Sequence, residues 1–223
     1  MRRSRMTKAV IFDMDGVLID TEKWLVSYWC QAAAEAGFDM KREHALAIRS
    51  LAGKYAALYL QKTFGPGFSY WTIRERRKQL MQEHISKYGI EKKQGVDELL
   101  DYLRARNIKT AVATATDLPR AKDYLTRIGI FDKFDRIICA NMVENGKPDP
   151  DIYLYACQQI GEDKGECIAV EDSPNGVRSA AAAGLRVVMV PDLTEPDAKT
   201  AELITARAQS LYDIILWMED GII

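Results

Sequence analysis

Two aspartates one residue apart, Asp13 and Asp15, directly follow the apolar run at residues 9–12. Two carboxylates about 4 Å apart repel each other by roughly 4 kcal/mol at an effective dielectric constant near 20, so another group must offset their charge. Asp-Gly sequences such as Asp15-Gly16 are also common in turns. The pair alone therefore does not establish a site, and its interpretation depends on the residues at the ends of the other apolar runs.

Three further segments place polar residues at or just after apolar runs. Thr114 ends the run at residues 110–114, Lys147 follows the third run, and Glu171 and Asp172 follow the fourth. Ligands of an open parallel sheet bind beyond the carboxyl ends of its strands. We therefore expect residues from four separate segments to converge at one edge of a sheet.

The converging residues indicate a magnesium site that holds a phosphate ester. Carboxylate oxygens are ligands that Mg²⁺ prefers, and the candidate metal ligands are Asp13, Asp15, Asp172 and the neighbouring Glu171. A phosphate can bridge to the metal while a lysine and backbone amides hold its other oxygens. The candidate phosphate-binding residues are Thr114, Ala115 and Lys147.

This arrangement predicts transfer of a phosphoryl group to the protein. Asp13, held at the end of its strand, is the predicted nucleophile, and its attack would form an aspartyl-phosphate. Asp15 is the predicted general acid and base, which protonates the leaving oxygen and then deprotonates the attacking water. Gly16 allows the backbone to turn sharply out of the strand.

The apolar runs also predict the fold. Each is nearly unbroken, which is typical of strands covered on both faces of a parallel sheet; they lie at residues 9–12, 110–114, 136–140, 167–170 and 186–190. Helical periods separate the later runs, as in Val96, Leu99, Leu100 and Leu103. This alternation predicts an α/β protein with a doubly wound parallel sheet.

Residues 22–90 differ, because they contain helical stretches and no convincing strand. They predict an all-helical domain inserted after the first strand, and we assign residues 21–91 to it and residues 1–20 and 92–223 to the core. We expect the core of the inserted domain to contain Trp24, Tyr28 and Trp29, and an exposed helix face to carry Arg74, Arg76, Arg77 and Lys78. Asp20 and Glu22 are predicted to be hinge and capping residues. His44 and His84 are predicted to lie on the surface.

Composition excludes several function classes. The chain has 31 basic and 32 acidic residues and a net charge of -1, so no overall field attracts nucleic acid. No segment has the length of a transmembrane helix, and the apolar stretch after the basic start is too short for a secretory signal. We expect a cytoplasmic protein without nucleic-acid or membrane partners, either a monomer or a small homo-oligomer, with its four cysteines reduced.

Four motifs together resemble those of the haloacid dehalogenase superfamily, and more narrowly its β-phosphoglucomutase-like, phosphatase-rich branch. They are "DMDGVLIDTE", "ATAT", Lys147-Pro148 and "EDSPNG". The resemblance implies a Rossmann-like core with a helical cap, Mg²⁺ dependence and small phosphorylated substrates. By motif position it implies that Asp13 is the nucleophile and Asp15 the acid and base, whose main-chain carbonyl also meets the metal. Thr114 and Lys147 map to phosphate contacts and Asp172 to a metal ligand, with Glu171 beside the metal.

Departures from the branch separate three candidate functions. Leu25 stands where the sugar-phosphate mutases commonly have a histidine, and Asp117-Leu118 lacks an amide that some sugar-phosphate binders carry. These differences favour hydrolysis of a small phosphorylated metabolite, with sugar phosphates the favoured class. The alternatives are a sugar phosphomutase of the β-phosphoglucomutase type and a non-catalytic metabolite-binding protein. Asp15 argues against the latter, because a pure binder needs no acid or base, and also against carbon–halogen chemistry.

Overall fold

A computed structural model of the chain describes residues 6–223, and the basic segment at residues 1–5 lies outside the described residues. Six parallel strands form one sheet in the order β3-β2-β1-β4-β5-β6. The strands are Ala9–Phe12 (β1), Lys109–Thr114 (β2), Arg136–Cys139 (β3), Cys167–Glu171 (β4), Arg186–Met189 (β5) and Ala206–Arg207 (β6). The predicted doubly wound α/β architecture is confirmed.

The central strand β1 is buried on both faces. Val10 and Phe12 pack into one hydrophobic cluster, and Ala9 and Ile11 pack into another on the opposite face. Side chains alternate between the faces of a strand, and helices cover both faces of this sheet. This is why the first five strands appear in the sequence as largely continuous apolar runs rather than alternating ones. The two-residue strand β6 has no such run and was not predicted.

The first four helices follow β1 and make up the inserted region: Glu22–Glu35 (α1), Arg42–Ala47 (α2), Gly53–Phe64 (α3) and Tyr70–Tyr88 (α4). They enclose a hydrophobic cluster of their own, which includes Trp29, Leu60, Phe68 and Ile73. The inserted all-helical region predicted from the sequence is therefore present. We propose that residues 21–91 form a cap domain and that residues 1–20 and 92–223 form the core.

Six further helices flank the sheet: Val96–Ala105 (α5), Leu118–Arg127 (α6), Asp151–Ile160 (α7), Pro174–Ala182 (α8), Ala198–Ala201 (α9) and Leu211–Glu219 (α10). The apolar residues Val96, Leu99, Leu100 and Leu103 are buried on one face of α5, as their spacing predicts. Among the residues that the structure describes, no helix combines the length and apolar character that a membrane span requires.

Several interpretations of the cap were wrong. Arg77 is buried rather than on an exposed helix face, and Arg74, Arg76 and Lys78 are only partly exposed. Trp29 lies in the cap core, but Trp24 is partly exposed. Its ring packs at 4.3 Å, centroid to centroid, from the ring of His84. Both histidines, His44 and His84, are partly buried rather than on the surface.

Candidate active site

The carboxyl ends of β1, β2 and β4 meet at one edge of the sheet and bring the predicted residues together. The side chains collected there are buried and come from four segments: Asp13, Asp15, Thr114, Lys147, Glu171 and Asp172. A cavity of about 440 Å³ opens between this edge and the cap, and Asp13, Asp15, Thr114 and Ala115 line it. The convergence predicted from the sequence is therefore present.

Lys147 joins two of the acidic residues. Its Nζ donates hydrogen bonds to Asp13 Oδ1 at 2.7 Å and to Glu171 Oε1 at 2.6 Å, and the Tyr153 hydroxyl donates to the same Glu171 oxygen at 2.5 Å. Burial alone would lower the pKa of Lys147, but the adjacent carboxylates of Asp13 and Glu171 outweigh it and raise that pKa above its usual value. Lys147 therefore remains a cation at neutral pH, held between Asp13 and Glu171.

The acidic groups fit a divalent cation. Asp13, Glu171 and Asp172 can each offer a carboxylate oxygen, and these oxygens lie within 4.8 Å of one another. Asp172 Oδ1 and Glu171 Oε2 are buried without a hydrogen-bond partner, and burial raises the pKa of Asp172 well above its usual value. Buried acceptors without partners are costly, and a hard cation such as Mg²⁺ would satisfy both.

Asp15 lies beside this cluster, but its carboxylate is held elsewhere. Oδ1 accepts a hydrogen bond from the Thr21 hydroxyl at 2.6 Å, and Oδ2 accepts one from the Thr116 hydroxyl at 3.2 Å. Burial raises the pKa of Asp15, the Thr21 hydrogen bond opposes this rise, and the charge of Asp13 adds to it. A raised pKa suits a group that must hold and release a proton near neutral pH.

Two glycines allow these acidic groups to approach the backbone. Gly16 has a φ of +82°, in the left-handed region that favours glycine, and a Cβ at this position would overlap the carboxylate of Asp172. A Cβ at Gly176, at the start of α8, would overlap the carboxylate of Glu171. The absence of a side chain at each position is therefore a requirement of the site.

Replacing Gly16 with alanine should disrupt the site. The left-handed backbone costs an alanine about 1–2 kcal/mol, and displacing Asp172 should cost a further 1–3 kcal/mol or so. Urea unfolding and phosphate release from a phosphomonoester measure the two effects. Gly37→Ala is the matched control, because Gly37 has a similar φ of +85° with open space around it. Equal effects of the two substitutions on both measurements would contradict the packing described here.

Two residues outside the predicted set of site residues also border the cavity. Glu22, interpreted as a hinge or capping residue, is buried in the cavity wall, and Arg49 from the segment after α2 is buried beside it. Arg49 Nε lies 3.4 Å from Glu22 Oε2, and Arg49 Nη2 also pairs with Asp172 Oδ2. The sequence feature that points to Glu22 is its position at the end of the first motif. The cap segment around Arg49 has no recognisable motif spacing.

Glu22 should make the stability of the metal-free protein depend on pH. Burial raises the pKa of Glu22 to about 8, with Arg49 opposing the rise. Above about pH 4.5 this group ionises in the unfolded chain but stays protonated in the fold, so the free energy of unfolding should fall by up to about 1.4 kcal/mol per pH unit until pH approaches 8.

Urea unfolding between pH 5 and pH 8, in a metal chelator, tests this effect. Glu22→Gln should show a shallower decline with pH than the wild-type chain. The exposed Glu202 offers a matched control, and Glu202→Gln should follow the wild-type curve. Parallel curves for all three proteins would refute the assignment.

Comparison with known proteins now identifies the class. Residues 7–184 match the haloacid dehalogenase-like hydrolase family, so the chain belongs to that family. It is 33% identical over 190 residues to the putative phosphatase YhcW of Bacillus subtilis, covering 84% of each chain. It is also 30% identical over 178 residues to the phosphorylated carbohydrates phosphatase of Thermotoga maritima, covering 80% of this chain and 82% of the relative.

A solved structure shares the fold. The crystal structure of β-phosphoglucomutase from Clostridium difficile superposes with a TM-score of 0.82 at 23% identity, over 97% of each chain. This likeness confirms the Rossmann-like core with its inserted helical cap, as the sequence resemblance predicts. The family match and the relatives named as phosphatases show that the chain is a phosphoric monoester hydrolase of this family.

Proposed function

We propose that the protein is a Mg²⁺-dependent phosphatase that hydrolyses a small phosphorylated metabolite through an aspartyl-phosphate on Asp13. The observation that carries the proposal is the buried contact of Lys147 with Asp13 and Glu171, beside the partnerless oxygens of Glu171 and Asp172. A lysine cation can hold a phosphate, and the acidic groups beside it at the carboxyl ends of the parallel strands can hold a metal ion.

In the first step, the Asp13 oxygen that Lys147 does not bind attacks phosphorus. A bond forms between Asp13 and phosphorus, and the bond from phosphorus to the ester oxygen breaks. Asp15 donates its proton to that departing oxygen, which leaves as an alcohol. Lys147, with Thr114 and the backbone of Ala115, holds the phosphoryl oxygens while the charge is redistributed.

In the second step, the Asp15 carboxylate takes a proton from water, whose oxygen attacks phosphorus. The bond to Asp13 breaks, which frees inorganic phosphate and restores both aspartates. Mg²⁺ would be held by Asp13, Asp172 and the main-chain carbonyl of Asp15, with Glu171 alongside. When bound, it would supply positive charge that stabilises the phosphate oxygens and offsets the repulsion between the carboxylates.

Sugar phosphates are the favoured substrate class. The relative from Thermotoga maritima is named for phosphorylated carbohydrates, and the cavity of about 440 Å³ suits a small metabolite. Leu25 lines this cavity where mutases of the branch carry a histidine, which favours hydrolysis over isomerisation. Closure of the cap over the substrate would exclude bulk water from the first step. A cytoplasmic location and the absence of nucleic-acid or membrane partners stay predictions.

A panel of sugar, nucleotide and polyol phosphates tests the proposal. We expect phosphate release that requires Mg²⁺ and stops in a chelator, with the folded Asp13→Asn protein as the blank. A parallel assay for product isomers distinguishes the mutase, which would accumulate an isomer after priming by a bisphosphorylated sugar. Binding of substrates without release of phosphate or isomer across the panel would instead favour the metabolite-binding alternative.

A further inference from the structure

One short segment of the cap forms much of the cavity wall on that side. Residues 48–52, which connect α2 to α3, line the cavity together with Gly53 at the start of α3. Ser50 in this segment has a φ of +58°, in the left-handed region that residues other than glycine rarely adopt. A short connection in this conformation keeps its shape only where the neighbouring structure holds it.

Asn175, in the first turn of α8, holds the backbone of this part of the cap. Its Nδ2 donates hydrogen bonds to the carbonyl oxygens of Ala47 at 3.2 Å and Arg49 at 2.9 Å. On the other side of the same amide, Oδ1 accepts a hydrogen bond from Arg178 Nη1 at 3.1 Å. Because the two carbonyls can only accept and the guanidinium can only donate, these partners fix the orientation of the amide.

The first turn of α8 links this contact to the acidic cluster. Asn175 lies three residues after Asp172 and directly before Gly176, where the lack of a side chain makes room for Glu171. The Ser173 hydroxyl accepts a hydrogen bond from Gly176 N at 3.2 Å and so caps the helix. The turn that directly follows the acidic residues is therefore also the turn that holds the cap segment.

The contact also determines where Arg49 enters the site. The carbonyl of Arg49 accepts the shorter of the two hydrogen bonds from Asn175, and its guanidinium pairs with Asp172. A further backbone hydrogen bond, from Ala52 N to the carbonyl oxygen of Lys147 at 2.8 Å, attaches the other end of the segment to the core. The cap wall of the cavity is thus fixed to the core at both of its ends.

We propose that Asn175 is a positioning residue for the reaction: its amide fixes residues 48–52 on the core and thereby places Arg49 and the cap wall around the substrate. This inference rests on the proposed function, because it assigns a further residue to that same site. Asn175 acts through the backbone of the cap segment and not by contact with the substrate.

Two substitutions separate this role from a simple anchoring of Arg178. Asn175→Asp keeps the size of the side chain and the acceptor for Arg178, but it replaces the donor with an oxygen that repels the two cap carbonyls. Asn175→Ala removes the donor without adding repulsion. Asn107→Asp is the matched control, because Asn107 is exposed near the amino end of β2 and has a φ of +55°, which aspartate also tolerates.

Amide hydrogen exchange, followed by mass spectrometry of the intact proteins after digestion, measures the attachment. One hydrogen bond of this kind shifts an equilibrium by roughly two- to tenfold. Exchange in residues 47–52 should therefore be about fivefold faster in Asn175→Ala than in the wild-type protein, and faster still in Asn175→Asp. The peptide that contains β1 should exchange at the wild-type rate in both variants, and Asn107→Asp should match the wild type throughout.

Steady-state hydrolysis of a phosphomonoester measures the effect on the site. Both variants of Asn175 should lower kcat/KM by about fivefold or more, mainly through a higher KM, because part of the substrate's binding free energy is then used to bring the segment back onto the core. A loss of folded protein alone would lower the apparent kcat and leave KM unchanged. Asn107→Asp should keep the wild-type values of both constants.

Three results would overturn this role: unchanged exchange in residues 47–52, a larger effect of Asn175→Ala than of Asn175→Asp on that exchange, or a fall in kcat with KM unchanged. If Asn175→Asp does not fold, as judged by circular dichroism, Arg178→Met replaces it. This change leaves the donor of Asn175 in place, so it should accelerate the exchange less than Asn175→Ala does, and an equal or larger acceleration would reject the role.

The exchange measurement does not require turnover, which separates this test from that of the proposed function. Faster exchange in the Asn175 variants of a protein that releases no phosphate would support the attachment and reject hydrolysis. Hydrolysis by the wild-type protein, with wild-type exchange in the Asn175 variants, would do the reverse.

Discussion

Asp13→Asn should abolish phosphate release from every phosphomonoester while leaving the protein folded. Asparagine is a poor nucleophile and cannot form the acyl-phosphate, so we expect turnover to fall by at least about 10⁴-fold, as for other nucleophile deletions. The fold should survive, because Lys147 keeps its hydrogen bond to Glu171 at 2.6 Å and an amide oxygen can still accept from Lys147.

The comparison for this variant is Asp39→Asn, which changes an exposed aspartate that forms an ion pair with the surface residue Lys41. Both variants should have wild-type circular dichroism spectra, and Asp39→Asn should keep wild-type turnover. An Asp13→Asn protein that is folded and hydrolyses phosphomonoesters within tenfold of the wild-type rate would refute the proposed mechanism.

Lys147→Met should cost both stability and activity. Lys147 is 2% exposed and holds two buried carboxylates that would otherwise repel each other. Breaking a buried ion pair by removing one partner typically costs about 3–5 kcal/mol, and loss of a charge that stabilises the transition state costs about 10²–10³ in turnover. Urea unfolding in a chelator and steady-state phosphate release measure the two losses.

A second substitution separates these two effects. Lys147→Met combined with Glu171→Gln removes one of the two uncompensated charges, so part of the lost stability should return while activity stays low. Lys62→Met, at an exposed position of α3, should change the free energy of unfolding by no more than about 0.5 kcal/mol. If the changes in the free energy of unfolding for the two substitutions simply add, the role proposed for Lys147 is contradicted. A Lys147→Met protein with wild-type turnover would also contradict it.

The core and the edge of the sheet that carries the candidate site could be predicted from the sequence for a physical reason. A strand buried on both faces of a parallel sheet must be apolar throughout, so β1, β2 and β4 are visible as continuous runs. Polar residues that follow such runs have one place to lie, the carboxyl edge of the sheet. The proximity of Asp13, Lys147 and Asp172 follows from the topology and does not depend on the details of side-chain packing.

The cap side of the cavity could not be predicted in the same way. Arg77 lies in the segment "RERRK", where every neighbour is charged, and no apolar stripe distinguishes its buried face from the partly exposed face of Arg76. The face of α4 that carries Arg77 borders a polar cavity and the ring of Trp29 rather than an apolar core. The helical periodicity of apolar residues therefore predicts that Arg77 is exposed. Glu22 and Arg49 meet because the cap packs on the core, and local sequence patterns do not predict how these two parts pack together.

The most direct test of the account is to trap the phosphorylated protein. A single turnover with radiolabelled substrate, quenched rapidly in acid, should leave label on the peptide that contains Asp13. Borohydride reduction of the acyl-phosphate should then convert residue 13 alone to homoserine, as detected by peptide mass spectrometry, and Asp13→Asn should show neither signal. Rapid phosphate release with no label on the protein at any quench time, or label on a different residue, would contradict the account.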